Sequence, residues 1–132
     1  MELKLTLDEQ HLQKLAQDAS PETAESFIAD YVDLLPRLVE RIVRAVGGRD
    51  RNLALDASLN LKTKSWLVGA LKMNQLCSEL ELALALADWA VAHAVARDIE
   101  LHLPRLQKAL QSGPHLALRP RLPKVLQTTA AP

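Results

Sequence analysis

The sequence predicts an all-α fold, an antiparallel up-and-down four-helix bundle preceded by an additional N-terminal helix. Three observations lead there. Of 132 residues, 48% are hydrophobic but only 3% aromatic, with Leu and Ala recurring throughout and four glycines in all, a composition of packed helices rather than of β-sandwiches or barrels. Apolar residues recur at helical spacing over long stretches. The segments between those stretches are short, which makes successive helices antiparallel neighbours.

The elements follow in order. Thr6-Leu7-Asp8-Glu9 reads as a capping box, with Thr6 as the cap and Glu9 reaching back, and opens a short helix to about residue 17. Ser20-Pro21 is the next start, an N-cap hydroxyl followed by a proline whose missing N–H is harmless in a first turn. From there Phe27, Ile28, Tyr31, Leu34, Leu35, Leu38, Val39, Ile42 and Val43 mark one face of a long helix that stops at Gly47-Gly48, with Pro36 inside it. A third helix is expected over about 51–67, ending near Gly69, and a fourth over about 70–85. Asp88 caps a fifth that runs to about Leu110, with Pro104 inside it. Residues 1–112 thus form one bundle domain. Residues 113–132 carry three further prolines after Pro114, basic residues and no acidic one, and read as an extended tail.

Charge and cysteine content narrow the function classes. Sixteen basic and sixteen acidic side chains cancel, so no net field favours nucleic acid or anionic lipid. No stretch is long and apolar enough to span a bilayer. The charged start Met1-Glu2-Leu3-Lys4 lacks a signal-peptide core, and one cysteine, Cys77, cannot form an intramolecular disulfide, so a reducing cytoplasm is expected. No spacing of His, Cys, Asp and Glu suggests a metal, and there is no phosphate loop or nucleophile elbow, so no cofactor is expected.

The third and fourth helices read Ser58-Leu59-Asn60-Leu61-Lys62-Thr63-Lys64-Ser65, then Gly69-Ala70, then Leu76-Cys77-Ser78-Glu79-Leu80-Glu81. This resembles the histidine phosphotransfer (HPt) family, whose pattern is Ala-His-x-Leu-Lys-Gly-Ser, a Gly-Ala turn and Leu-Cys-x-x-Leu-Glu at the same spacing. The resemblance covers roughly residues 7–110 and extends to the helix order and the proline in the long helix. It implies a phosphorelay module of two-component signalling, with a response-regulator receiver domain as partner.

The sequence departs from the pattern where the chemistry would be. The position of the family's phosphoacceptor is Leu59, and a leucine offers no lone pair to a phosphoryl group. Lys62 persists, while Thr63 stands in place of the glycine and Lys64 in place of the serine. The resemblance therefore implies a pseudo-HPt module rather than an enzyme.

At about 100° per residue, Ala54, Ala57, Ser58, Leu61, Ser65 and Val68 share one small or apolar face, the expected core side. Leu55, Leu59, Lys62 and Trp66 cluster opposite, with Thr63 beside them, and these five are the candidate partner-binding residues. Three large apolar side chains exposed together would form a protein contact. Alternatives stay open: the tail, with Leu116, Leu118, Leu122, Val125 and Leu126, covers the stripe, or a second copy of the chain does. Two other functions stay open: an active phosphotransfer protein, which would need another acceptor such as His93, and a structural or oligomerising helical bundle outside two-component signalling. His102 falls with the core-facing series of the fifth helix, and His11 and His115 read as solvated. Cys77 reads as a packed small residue rather than a reactive thiol.

Overall fold

The computed structural model describes residues 6–112, and the tail expected over 113–132 lies outside the described residues, as does His115. Five helices follow one another: α1 (Glu9–Asp18), α2 (Pro21–Gly47), α3 (Arg51–Val68), α4 (Leu71–Ala85) and α5 (Trp89–Ser112). There is no strand among the described residues. The expected boundaries and the observed ones agree to within about two residues.

Local chemistry explains most of the ends. The Ser20 hydroxyl accepts from the Thr23 backbone N–H at 3.0 Å, and Pro21 opens α2. Asp50 caps α3 by accepting from the Leu53 N–H at 3.1 Å, and Asp88 caps α5 by accepting from the Val91 N–H at 3.2 Å. Gly69 closes α3 in the left-handed region at φ 81°; its N–H donates to the Trp66 carbonyl and the Ala70 N–H to the Ser65 carbonyl, a Schellman closure.

One start differs from expectation. Asp8, not Thr6, caps α1, accepting from the Gln10 N–H at 3.1 Å. The physical reason is tertiary: the Asp8 N–H donates to the Gly69 carbonyl at 2.7 Å, and Thr6, Leu7 and Asp8 are buried. The chain before α1 is therefore fastened to the α3–α4 turn instead of entering a capping box.

Helices α2, α3, α4 and α5 form the bundle in the order α2–α3–α4–α5–α2 around the ring, and α1 lies on α2 and α3. The core is continuous across all five helices. Ile28, Tyr31, Leu35, Leu38, Val39 and Ile42 of α2 are buried, and Phe27, Leu34 and Val43 pack half-buried at its margin. All six small or apolar residues expected on the core side of α3 are buried. Their short side chains bring the backbones of α3 and α4 close enough for the Ser58 hydroxyl to donate to the Cys77 carbonyl at 3.2 Å. Two turns further along the same buried side, the Tyr31 hydroxyl meets Ser65 Oγ at 2.8 Å, so the two hydroxyls satisfy each other in the interior. No helix among the described residues is long and apolar enough to cross a membrane.

Candidate functional site

Helix α3 presents one side of its cylinder to solvent, and burial along it defines that crest. Arg51, Asn52, Leu53, Asp56, Leu59, Asn60, Thr63, Trp66 and Leu67 are exposed. Leu59 is 53% and Trp66 52% exposed, and the two lie seven residues apart, two turns along the same line. Thr63 sits between them, one turn from either. Large apolar side chains are exposed elsewhere as well, Leu53 of α3 at 50% and Leu82, Leu86 and Leu101 at 62–69%; the crest of α3 differs in setting a leucine and a tryptophan on one line.

The five residues grouped from the sequence separate into two sets. Leu59, Thr63 and Trp66 hold the crest. Leu55 and Lys62 do not: Leu55 is half-buried and packs against the core, so the expected stripe of three exposed apolar side chains is a pair. Both residues fall on the shoulder of α3 that faces α4, rotated toward the bundle from Leu59. Lys62 Nζ donates to Glu81 Oε1 at 2.7 Å, and the Lys62 carbonyl accepts from Asn74 Nδ2 at 3.1 Å. The cation grouped with Leu59 as a candidate partner-binding residue is thus tied to α4.

The opposite shoulder of α3 faces α2. There Lys64 joins Phe27, Asp30, Tyr31, Asp33 and Leu34 in lining a groove of about 260 Å³. The burial of Tyr31 raises its phenol well above the ordinary value and keeps it neutral, so it is a wall of this groove and not a charge in it.

At the C-terminal end of the crest, sequence reading missed a partner. His11 of α1, expected in solvent, is half-buried and stands edge-on to Trp66, with ring centroids 4.5 Å apart and planes at 82°. Its Nδ1 lies 3.0 Å from Asp8 Oδ2. The link between Asp8 and Gly69 places that pair, and nothing local to residues 8–11 indicates that a turn near residue 69 will meet them. The signal that was legible is Gly69 itself: a Cβ there would come within 2.5 Å of the Asp8 carbonyl oxygen and 2.8 Å of His11 Cβ.

The remaining candidates lie elsewhere. His93 is exposed on α5, its Nδ1 2.7 Å from the Trp89 carbonyl one turn back. Helix α5 packs on α2 and α4 and sits diagonally across the bundle from α3, so His93 does not share the Leu59 crest. His102 is buried, as its place in the core-facing series implies. Burial and the nearby cations Lys72 and Arg105 lower its pKa from 6.5. Cys77 is a buried free thiol, pushed up to about 12 chiefly by burial, and is unreactive in that state. No group of three or more His, Cys, Asp or Glu among the described residues is placed to hold a metal ion.

In chemical terms the exposed side of α3 offers carbon and amide surface, one hydroxyl, one carboxylate and, in its first turn, the Arg51 guanidinium.

No protein-family model matches this chain, and no curated protein matches it. Among solved structures it is similar to the HPT domain of the Hpt sensor hybrid histidine kinase from Shewanella, with 24% identity and a TM-score of 0.71 over 82% of this chain and 92% of that one. The chain has the fold of an HPt domain, an all-helical bundle, and that resemblance, first seen in the α3–α4 motif, holds in three dimensions.

Proposed function

We propose that this chain is a non-catalytic HPt-like signalling module that docks a response-regulator receiver domain, or a closely related partner, through the crest of α3 without taking its phosphoryl group. The reading is supported by Leu59: the motif resemblance puts this leucine at the family's phosphoacceptor position, and its side chain is 53% exposed in the middle of the crest. An accepting side chain needs a lone pair at the surface. Leu59 has only methyl groups to offer, and methyl groups bind by being removed from water.

The same position supports contact. Burying Leu59 fully would contribute about 1.5–3 kcal/mol, and Trp66 two turns on adds the kind of large flat anchor that dominates interface energies. Bound there, the module would shield a receiver's aspartate or hold a signalling complex together in the cytoplasm.

The test is binding of the full chain to purified receiver domains from its own genome, by calorimetry or fluorescence anisotropy. Binding is expected to fall at least tenfold in Leu59→Asp and in Trp66→Ala, with helical content unchanged. No binding to any receiver overturns the reading. A dimer in solution that Leu59→Asp dissociates would instead assign the crest to a second copy. A Leu59→His variant that gains acid-labile phosphate from a phosphorylated receiver would support the docking geometry directly.

A further inference from the structure

A closed circuit of contacts starts and ends at Trp66. Its carbonyl accepts from the Gly69 N–H at 3.1 Å, and the Gly69 carbonyl accepts from the Asp8 N–H at 2.7 Å. The Asp8 carboxylate divides its two oxygens: Oδ1 accepts from the Gln10 N–H at 3.1 Å, and Oδ2 lies 3.0 Å from His11 Nδ1. A carboxylate only accepts, so the proton between them belongs to Nδ1. The His11 ring then returns to Trp66, centroid to centroid at 4.5 Å and nearly perpendicular. There is no slack where α1 meets the α3–α4 turn: Asp8 is buried, and a Cβ on Gly69 would come within 2.8 Å of His11 Cβ.

Resting on the reading of the α3 crest as a docking surface, we propose that His11 is a positioning residue for that surface: from α1 it holds the Trp66 indole in one place before a partner arrives. A tryptophan standing on a helix has more than one χ1 rotamer open to it, and an exposed side chain exchanges rapidly among them in solution. Docking has to select one, and that selection weakens binding. A perpendicular ring pair favours a single placement, because the positive edge of one ring meets the negative face of the other. His11 can impose it because it is itself held, by Asp8 on its own helix and, through Asp8, by the α3–α4 turn. A partner therefore meets an anchor already in place. The attachment of α1 becomes part of the recognition surface, although α1 lies outside the four-helix bundle.

The experiment reads Trp66 by near-ultraviolet circular dichroism of the full chain in a Trp89→Phe background, where it is the one indole of the sequence. The same proteins are then titrated against purified receiver domains. His11→Ala is expected to flatten the indole bands and to weaken receiver binding about three- to tenfold, the order of effect of immobilising one large side chain. Gly69→Ala, which changes neither ring but crowds Asp8 and His11, is expected to do the same. His11→Phe keeps a ring edge for the indole and is expected to stand nearer to the parent than to His11→Ala in both readouts. All measurements are made well below the melting midpoint of each variant. Indole bands unchanged in His11→Ala, an affinity unchanged while the bands collapse, or equal losses in His11→Phe and His11→Ala overturn the proposal and leave the docking reading standing. Failure of every receiver to bind the parent overturns the two together.

Discussion

Helix α3 has two sides built from the same eighteen residues, and they obey opposite rules. Toward the core, Ala54, Ala57, Ser58, Leu61, Ser65 and Val68 are small or apolar, buried, and have every polar atom answered: Ser58 by the Cys77 carbonyl and Ser65 by Tyr31. Toward solvent, Leu59 and Trp66 are large, apolar and half in water. The difference teaches that packing with α2 and α4 dictates the buried side of α3 and leaves the exposed side undetermined by the fold.

Substitutions sharpen that contrast by dividing stability from recognition. The largest effect is expected at Leu61, which is fully buried: Leu61→Ala should cost about 2–5 kcal/mol in denaturant unfolding through lost burial and a residual cavity. Next comes Gly69→Ala, at about 1–3 kcal/mol, because the left-handed backbone and the Asp8 carbonyl at 2.5 Å leave no space for a methyl group. Its diagnostic is faster amide exchange in residues 8–12, showing that the fastening of α1 has given way. Ser65→Ala should cost a similar or smaller amount, about 1–3 kcal/mol, by leaving the buried Tyr31 hydroxyl without its partner, and Ser65→Ala combined with Tyr31→Phe should recover part of it. On the crest, Leu59→Ala should change stability by no more than about 0.5 kcal/mol. A loss as large as that at Leu61 would break the comparison, since it would mean that Leu59 is covered in solution.

The smallest effect concerns pH. His102 is lowered from 6.5 by burial and by Lys72 and Arg105, so the unfolded chain binds a proton there more readily than the folded one. The contribution of neutral His102 is therefore full above about pH 6.5 and is lost as pH falls below it toward the lower folded value. Urea titrations between pH 7.5 and 5 should show a downward slope that is shallower in His102→Gln; an equal slope in the variant would assign the acid sensitivity to other groups.

Much of this was legible in the residues. The helices α2 to α5 follow from start and stop chemistry close in sequence, such as Ser20-Pro21, Gly69 and Asp88. Each cap is satisfied by backbone within a turn or so, and a pattern that local can be read without coordinates. The core side of α3 was legible for a related reason: helical periodicity fixes which residues share a face whatever lies opposite. The likeness to an HPt bundle was also legible, in the Leu-Lys, Gly-Ala and Leu-Cys-x-x-Leu-Glu pattern of α3 and α4.

The sequence by itself determined the helices and their amphipathic faces, because these depend on neighbours at most a few turns away. The tertiary structure decided which members of the solvent-facing set stand free. Rotation of α3 against α4 draws Leu55 into the core margin and puts Lys62 on Glu81, nineteen residues away. The close approach of Asp8 to Gly69 moves the cap of α1 from Thr6 to Asp8 and brings His11 to Trp66. Periodicity assigns a residue its angle on the helix; whether that angle is crest or shoulder depends on where the neighbouring helices lie, and only packing fixes that.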